Sequence, residues 1–432
     1  MKNSYPVFKL RFILKLVIIS FLLCSNVFAI ANSKERTGKE LIPRDGLPNF
    51  FVKAQRGDSV RVAYLGGSIT AQSGWRVYSL EWMQNQYPKA RFSEINAAIG
   101  GTGSNFGVFR LHEQVLRFQP DLLFVEFAVN DYKTTPGTIT RAMEGIIRQT
   151  WGANPYTDIC FVYTYIDDFL ETETNGGLPI SVRTMEMVAN KYGVPGINFG
   201  FEVAKQVKEG KMIYENKESK DVKGIPVFCP DGVHPYVETG HRIYNAVLSQ
   251  SLEAMQESGK TKTTKHKLPK PINPRYFSDT KMLDFTEGKL SKNWEIIQTG
   301  EDERFKAFSG FFDHVGRACT TGESISFRFK GKAIGAYDIM GPDAGKVAIE
   351  IDGEVRDTIS RFDRYCTYWR MNFVIVDKLE DKEHTVVFKT ISTPFDKKSI
   401  LSRKEDFEEH PEKYKENCWC IGKILLDGEV IK

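Results

Sequence analysis

The sequence predicts an α/β protein, a three-layer α/β/α sandwich with a parallel sheet, followed by an antiparallel β-sandwich of jelly-roll type. Three observations carry that expectation. Between about residues 60 and 255, short apolar strands alternate with amphipathic helical patterns, as βα units around a parallel sheet do. Beyond about residue 280 the apolar period changes to two, punctuated by Lys330-Gly331 and Asp352-Gly353. Between these halves, residues 258–280 are rich in Lys, Thr and Pro, which is linker chemistry. The expected layout is a segment 1–31 removed on export, a first domain 32–257, the linker, and a second domain 281–432. A chain of 432 residues is too long for one ordinary core, which agrees with two domains.

Taken in order, Val60 to Leu65 is a β-branched and aromatic strand that runs into Gly66-Gly67. The first side chain after those glycines is Ser68, at the carboxyl end of a strand, where an α/β sheet exposes reactive groups. The same serine would also serve as an ordinary helix cap. Trp75 to Tyr87 has helical spacing and stops at Pro88, and Phe92 to Ile95 is a short strand. Ile99 to Ser104 is glycine-dense and opens a helix that carries Val108, Leu111, Val115, Leu116 and Phe118 on one side. Leu122 to Val129 is a nearly continuous apolar run, a strand buried on both faces, and it delivers Asn130 and Asp131. A helix over Ile139–Thr150, a strand Ile159–Ile166 ending in Asp167 and Asp168, a helix Val182–Tyr192, a strand Val194–Ile197 and a helix Phe201–Val207 follow. Pro226–Pro235 reads as a loop holding Asp231 and His234, and Tyr244–Met255 as the last helix. Past the linker, Ser324–Phe329, Val347–Ile351, Asn372–Val376 and Thr385–Phe388 are strands, and Lys397–Asn417 is a charged, partly helical insert.

Charge narrows the partners. The 59 basic and 55 acidic residues differ by four, and Lys2, Lys9, Arg11 and Lys15 all precede residue 32 in a segment without acids. The rest of the chain is neutral, so nothing draws it to nucleic acid or an anionic membrane. That first segment has a basic start, an apolar run Leu16–Cys24 and small residues near Ala29 and Ala31, the layout of a cleaved secretory signal. The run is shorter than the roughly 20 apolar residues of a span, so no stable membrane insertion is expected after cleavage and the protein is exported, periplasmic or extracellular. Cys24 allows a lipoprotein, although Leu23 is larger than the small residue usual there. Six cysteines follow it, without zinc spacing, and both bridges and free thiols fit them.

Four blocks together resemble the SGNH hydrolases, the GDSL-type esterase and lipase superfamily: Gly66-Gly67-Ser68-Ile69, Asn96 to Gly101, Val129-Asn130-Asp131 and Asp231-Gly232-Val233-His234. The resemblance spans about Arg61 to Met255 and departs from the family in Gly67, where aspartate is frequent. It implies an SGNH, flavodoxin-like fold, with Ser68 as nucleophile, His234 as base and Asp231 as its orienting carboxylate. It further implies an oxyanion hole from the Ser68 and Gly101 backbone N–H groups and the Asn130 amide. A metal site at Asp231, His234 and His241 competes only weakly, for want of a further ligand cluster, and no cofactor or metal is expected. Trp75, Tyr132 and Trp151 fit either sugar stacking or core. With export and the appended β-domain, the expected function is a serine esterase removing acetyl or other small acyl groups from an acylated polysaccharide or oligosaccharide. The alternatives are a periplasmic lipase, lysophospholipase or thioesterase, and a carbohydrate-binding protein without catalysis.

Overall fold

The structure, a computed structural model, describes residues 40–259, 262–392 and 395–431. The predicted signal segment and Cys24 lie outside the described residues. Among the described residues no helix is long and apolar enough to cross a membrane.

The first domain is built on strands β1 (Leu41–Ile42), β2 (Ser59–Gly66), β3 (Arg91–Ala98), β4 (Leu122–Glu126), β5 (Asp158–Tyr163) and β6 (Gly196–Asn198). They lie in the order β1-β6-β5-β4-β2-β3, parallel except for the β1–β6 pair. Alternation along β2 explains why both faces are covered. Val60, Val62 and Tyr64 pack with Phe50, Trp75, Tyr244 and Leu248 on one side, while Ala63 and Leu65 join Phe106, Val108 and Ile146 on the other. The strand order reverses between β2 and β4, so their carboxyl ends diverge and leave a crevice, the usual place for a ligand in an open α/β sheet. Gly66 and Glu126 end those two strands.

Several elements differ in extent from the sequence expectation. The helix Ser104–Gln114 stops before Leu116, because Val115 leaves the helical conformation (φ −129°, ψ −62°), and Leu116–Phe118 forms a 3₁₀ turn that ends at the left-handed Gln119 (φ 51°). The segment read as a loop from Pro226 begins as a strand, β9 (Ile225–Cys229), pairing with β7 (Ile213–Glu215) and β8 (Asp221–Val222) in a small separate sheet. Only the part from Pro230 to Pro235 is free of regular structure.

The second domain is antiparallel throughout its named strands, with β14 (Ser324–Met340) and β19 (Trp419–Val430) as its longest members. One half of β14 pairs with β18 (Lys382–Ile391), the other with β17 (Arg370–Val376), while β19 runs along its opposite edge. Phe327, Phe329, Ile334, Val347, Phe388, Trp419 and Ile424 close a core of their own. A disulfide joins Cys319, just after β13 (His314–Ala318), to Cys418, just before β19; Cys160, Cys229, Cys366 and Cys420 are buried thiols.

The two domains share packing. Phe106 stacks on Phe373 at 4.6 Å and meets Tyr337 at 4.7 Å, and Arg141 pairs with Asp377. The residues between the domains run as a strap along the first: His266 stacks on Trp151 and bonds Asp158 at 2.7 Å, and Glu144 accepts the Ile272 and Asn273 N–H groups. Each of these bonds fixes a segment whose composition alone reads as flexible.

Candidate active site

Ser68 is the first residue of a single helical turn, Ser68–Ala71, with Gly67 extended before it (φ −94°, ψ −155°). The turn rises from β2 and leaves Ser68 partly buried at the crevice. His234 lies 166 residues away in sequence, and its Nε2 is 2.8 Å from Ser68 Oγ. Its Nδ1 is 2.8 Å from Asp231 Oδ2. A carboxylate only accepts, so Nδ1 carries the proton and Nε2 is free to accept from the serine hydroxyl. The second oxygen of Asp231 accepts the backbone N–H groups of Val233 and His234, at 3.1 and 2.8 Å. Burial pushes Asp231 upward, but these bonds and the imidazole outweigh it and hold the carboxyl below its usual range. The aspartate is therefore ionised wherever the imidazole is needed.

Gly101 and Asn130 come to the same rim. Gly101 has φ +73°, a left-handed conformation that favours glycine, and its neighbour Gly100 faces Ser68, with 3.6 Å between a Cβ built on it and the serine Cβ. A Cβ on Gly67 would fall 1.9 Å from Asn130 Oδ1. The glycine that departs from the family pattern thus leaves the space that the Asn130 amide fills. Of the aromatics singled out in the sequence, Trp75 and Trp151 are buried in the core, and Tyr132 is exposed beside Asn130 and Asp131. His241 is fully buried, and among the described residues its ring nitrogens meet the Trp75 backbone N–H and the Gln72 amide oxygen.

Two supporting groups, Arg110 and Glu126, escaped sequence reasoning, and a third, Asp131, braces the glycine loop. Arg110 is fully buried; its guanidinium bonds the Gly66 carbonyl at 3.0 Å, the Ala97 carbonyl and the Thr102 hydroxyl. It joins the ends of β2 and β3 to the glycine loop, and burial lowers its pKa only to about 9, so it stays cationic at neutral pH. Glu126 sits beneath the Ser68 turn and accepts from Thr70 at 2.8 Å and Thr164 at 2.7 Å. Burial raises it, against the bonds from Thr164, Thr70 and the Gly67 backbone.

Asp131, also fully buried, accepts the Ser104 N–H at 3.1 Å and so caps the helix that follows the glycine loop. Burial pushes its pKa up to about 7. A carboxyl that holds its proton more tightly folded than unfolded favours folding most at low pH, and that contribution is lost as pH rises from about 4 to about 7. Asp131→Asn keeps an acceptor for Ser104 and removes the titration. Thermal melts should show a smaller fall in stability between pH 5 and pH 8 for the variant than for the parent, and equal slopes would contradict this reading of Asp131.

Between the glycine loop and the second domain lies a cleft of about 460 Å³. Ile99 to Thr102 form one wall, and Tyr337, Tyr365 and Tyr368 to Phe373 the other. Tyr365 and Tyr368 are about half exposed, at 44% and 52%.

The parallel sheet, with a serine–imidazole–carboxylate line at its switch point, defines the class: a hydrolase domain of the acyl-transferring kind. Residues 64–242 match the model of the GDSL-like Lipase/Acylhydrolase family, and this domain is of that family, a carboxylic ester hydrolase. Among solved structures, the chain is similar to a two-domain esterase (CEX) active on acetylated mannans, co-crystallized with mannopentaose. Identity is 20%, 92% of this chain and 98% of that one are covered, and the TM-score is 0.68. A second structure of a two-domain esterase (CEX) active on acetylated mannans gives the same identity and TM-score over 99% of its length. Axe2, an acetylxylan esterase from Geobacillus stearothermophilus, is 16% identical, with 45% of this chain and 94% of that one covered, at a TM-score of 0.36. No curated protein sequence matches the chain.

Proposed function

We propose that this protein is an exported serine esterase that removes acetyl or other small acyl groups from a polysaccharide or oligosaccharide. The observation that carries the reading is the unbroken hydrogen-bonded line Asp231–His234–Ser68 beside a cleft walled by both domains. In the proposed reaction Ser68 Oγ attacks the ester carbonyl while His234 Nε2 takes its proton. The oxyanion that forms is met by the backbone N–H groups of Ser68 and Gly101 and by the Asn130 side chain. The carbonyl then re-forms, the bond to the sugar oxygen breaks, and His234 gives its proton to that oxygen, which leaves as a free hydroxyl with the acyl group on Ser68. Water, activated by the same imidazole, releases the acid and restores the serine. Asp231 stays ionised and steadies the imidazolium.

The substrate class rests on the cleft. Half-exposed tyrosines with Trp369, Arg370 and Asn372 offer flat apolar faces and polar edges, the pairing that suits a sugar ring. The similar two-domain esterase acts on acetylated mannans, which supports an acetylated glycan as the class. The Cys319–Cys418 bridge suits an oxidising compartment and so supports export. Tyr368→Ala tests the cleft. An aromatic contact worth about 1–1.5 kcal/mol corresponds to a roughly 5–12-fold rise in KM for an acetylated oligosaccharide. Hydrolysis of a small chromogenic acetate should be unchanged. A variant that loses both activities equally, or neither, would sink the assignment of this wall to the glycan.

A further inference from the structure

His241 takes no part in the chemistry just described, yet its ring is enclosed against the site. Room for it depends on Gly74, where a Cβ would fall 2.2 Å from the ring. The Trp75 backbone N–H, 3.1 Å from Nδ1, can only donate, so Nδ1 is the bare nitrogen. In the neutral ring Nε2 then carries the hydrogen and donates to Gln72 Oε1 at 3.1 Å. That fixes the orientation of the Gln72 amide, whose NH₂ faces the carbonyl of Pro235 at 3.4 Å. Gln72 also closes the Ser68 turn, its backbone N–H bonding the Ser68 carbonyl at 3.1 Å. The chain of donors therefore has one direction, Trp75 to His241 to Gln72 to Pro235, and it ends one residue after His234.

We propose that His241 and Gln72 are positioning residues that tie the loop carrying His234 to the turn carrying Ser68. This rests on the esterase reading above and deepens it. The neutral ring is required, because a proton on Nδ1 would face the Trp75 N–H. Burial, and next the nearby His234, lower the His241 pKa to about 4, so the tie holds through the neutral range. The Tyr244 ring lies edge-on to His241 at 5.8 Å.

The test uses Gln72→Leu, His241→Leu, the pair together and His241→Gln in the full-length protein. Misplacement of a reacting group by a fraction of an ångström to an ångström costs up to about 10²-fold. Each leucine variant should lower kcat for a chromogenic acetate roughly 10–100-fold, with KM within about twofold. The rate at which a fluorophosphonate labels Ser68 should fall by the same factor. The double variant should be no slower than the slower single one, because the two side chains act in series. His241→Gln, which can accept from Trp75 and donate to Gln72, should recover most of the rate. Unchanged kcat in Gln72→Leu, or additive losses in the pair, would overturn the proposal. Gln72 is only partly buried and decides the matter if His241→Leu fails to fold. Ester hydrolysis that survives Ser68→Ala would instead overturn the active-site reading itself.

Discussion

Ser68→Ala should abolish ester hydrolysis, lowering kcat by roughly 10⁴–10⁶-fold while leaving the melting temperature close to that of the parent. The asymmetry follows from where the hydroxyl sits. Ser68 is partly buried, and among the described residues its side chain makes one hydrogen bond, to His234 Nε2 at 2.8 Å. Removing it deletes a contact worth about 1 kcal/mol to the fold, whereas the acyl intermediate loses the atom that carries it. If Ser68 were only the cap of its short helix, the result would reverse, with measurable loss of stability and hydrolysis intact. Turnover of a chromogenic acetate beside a thermal melt separates the two outcomes.

Asn130→Ala carries the second largest expected effect. Loss of one oxyanion donor typically costs about 2.7–4 kcal/mol in the transition state, or roughly 10²–10³ in kcat. KM should change little, since the interaction strengthens only as charge develops on the carbonyl oxygen. The Asn130 amide lies over Gly67, so truncation to alanine removes atoms from the rim without placing new ones in the core. A loss confined to KM, or a kcat within about twofold of the parent, would show that Asn130 only shapes the turn.

Much of this site was legible because its parts are local. Ser68 stands out by following two glycines at the end of an apolar strand, Asn130 by ending another, and Asp231 and His234 by sharing one loop three residues apart. The supports were not legible, since each depends on residues distant in the chain. No motif marks Arg110 in the sequence, and only the folded chain turns it onto the Gly66 and Ala97 carbonyls. Glu126 reads as an interruption of an apolar run, and its partners Thr70 and Thr164 lie 56 and 38 residues away. The cleft wall from Tyr365 to Phe373 belongs to the other domain, where an alternating pattern reports a strand and nothing of what the strand faces. The cysteine pair has the same character, because Cys319 and Cys418 are separated by 99 residues. Boundaries failed where a local conformation prevailed over periodicity, as at Val115, where the helix ends (φ −129°) although the apolar spacing runs on to Phe118.

Acetate released from an acetylated oligosaccharide, followed for the parent protein and for Ser68→Ala side by side, tests the central claim most directly. The account predicts steady release by the parent, none above background by the variant, and slower turnover of chromogenic esters as the acyl chain lengthens. Equal release by the two proteins, or a preference for acyl chains of about eight carbons or more, would contradict it.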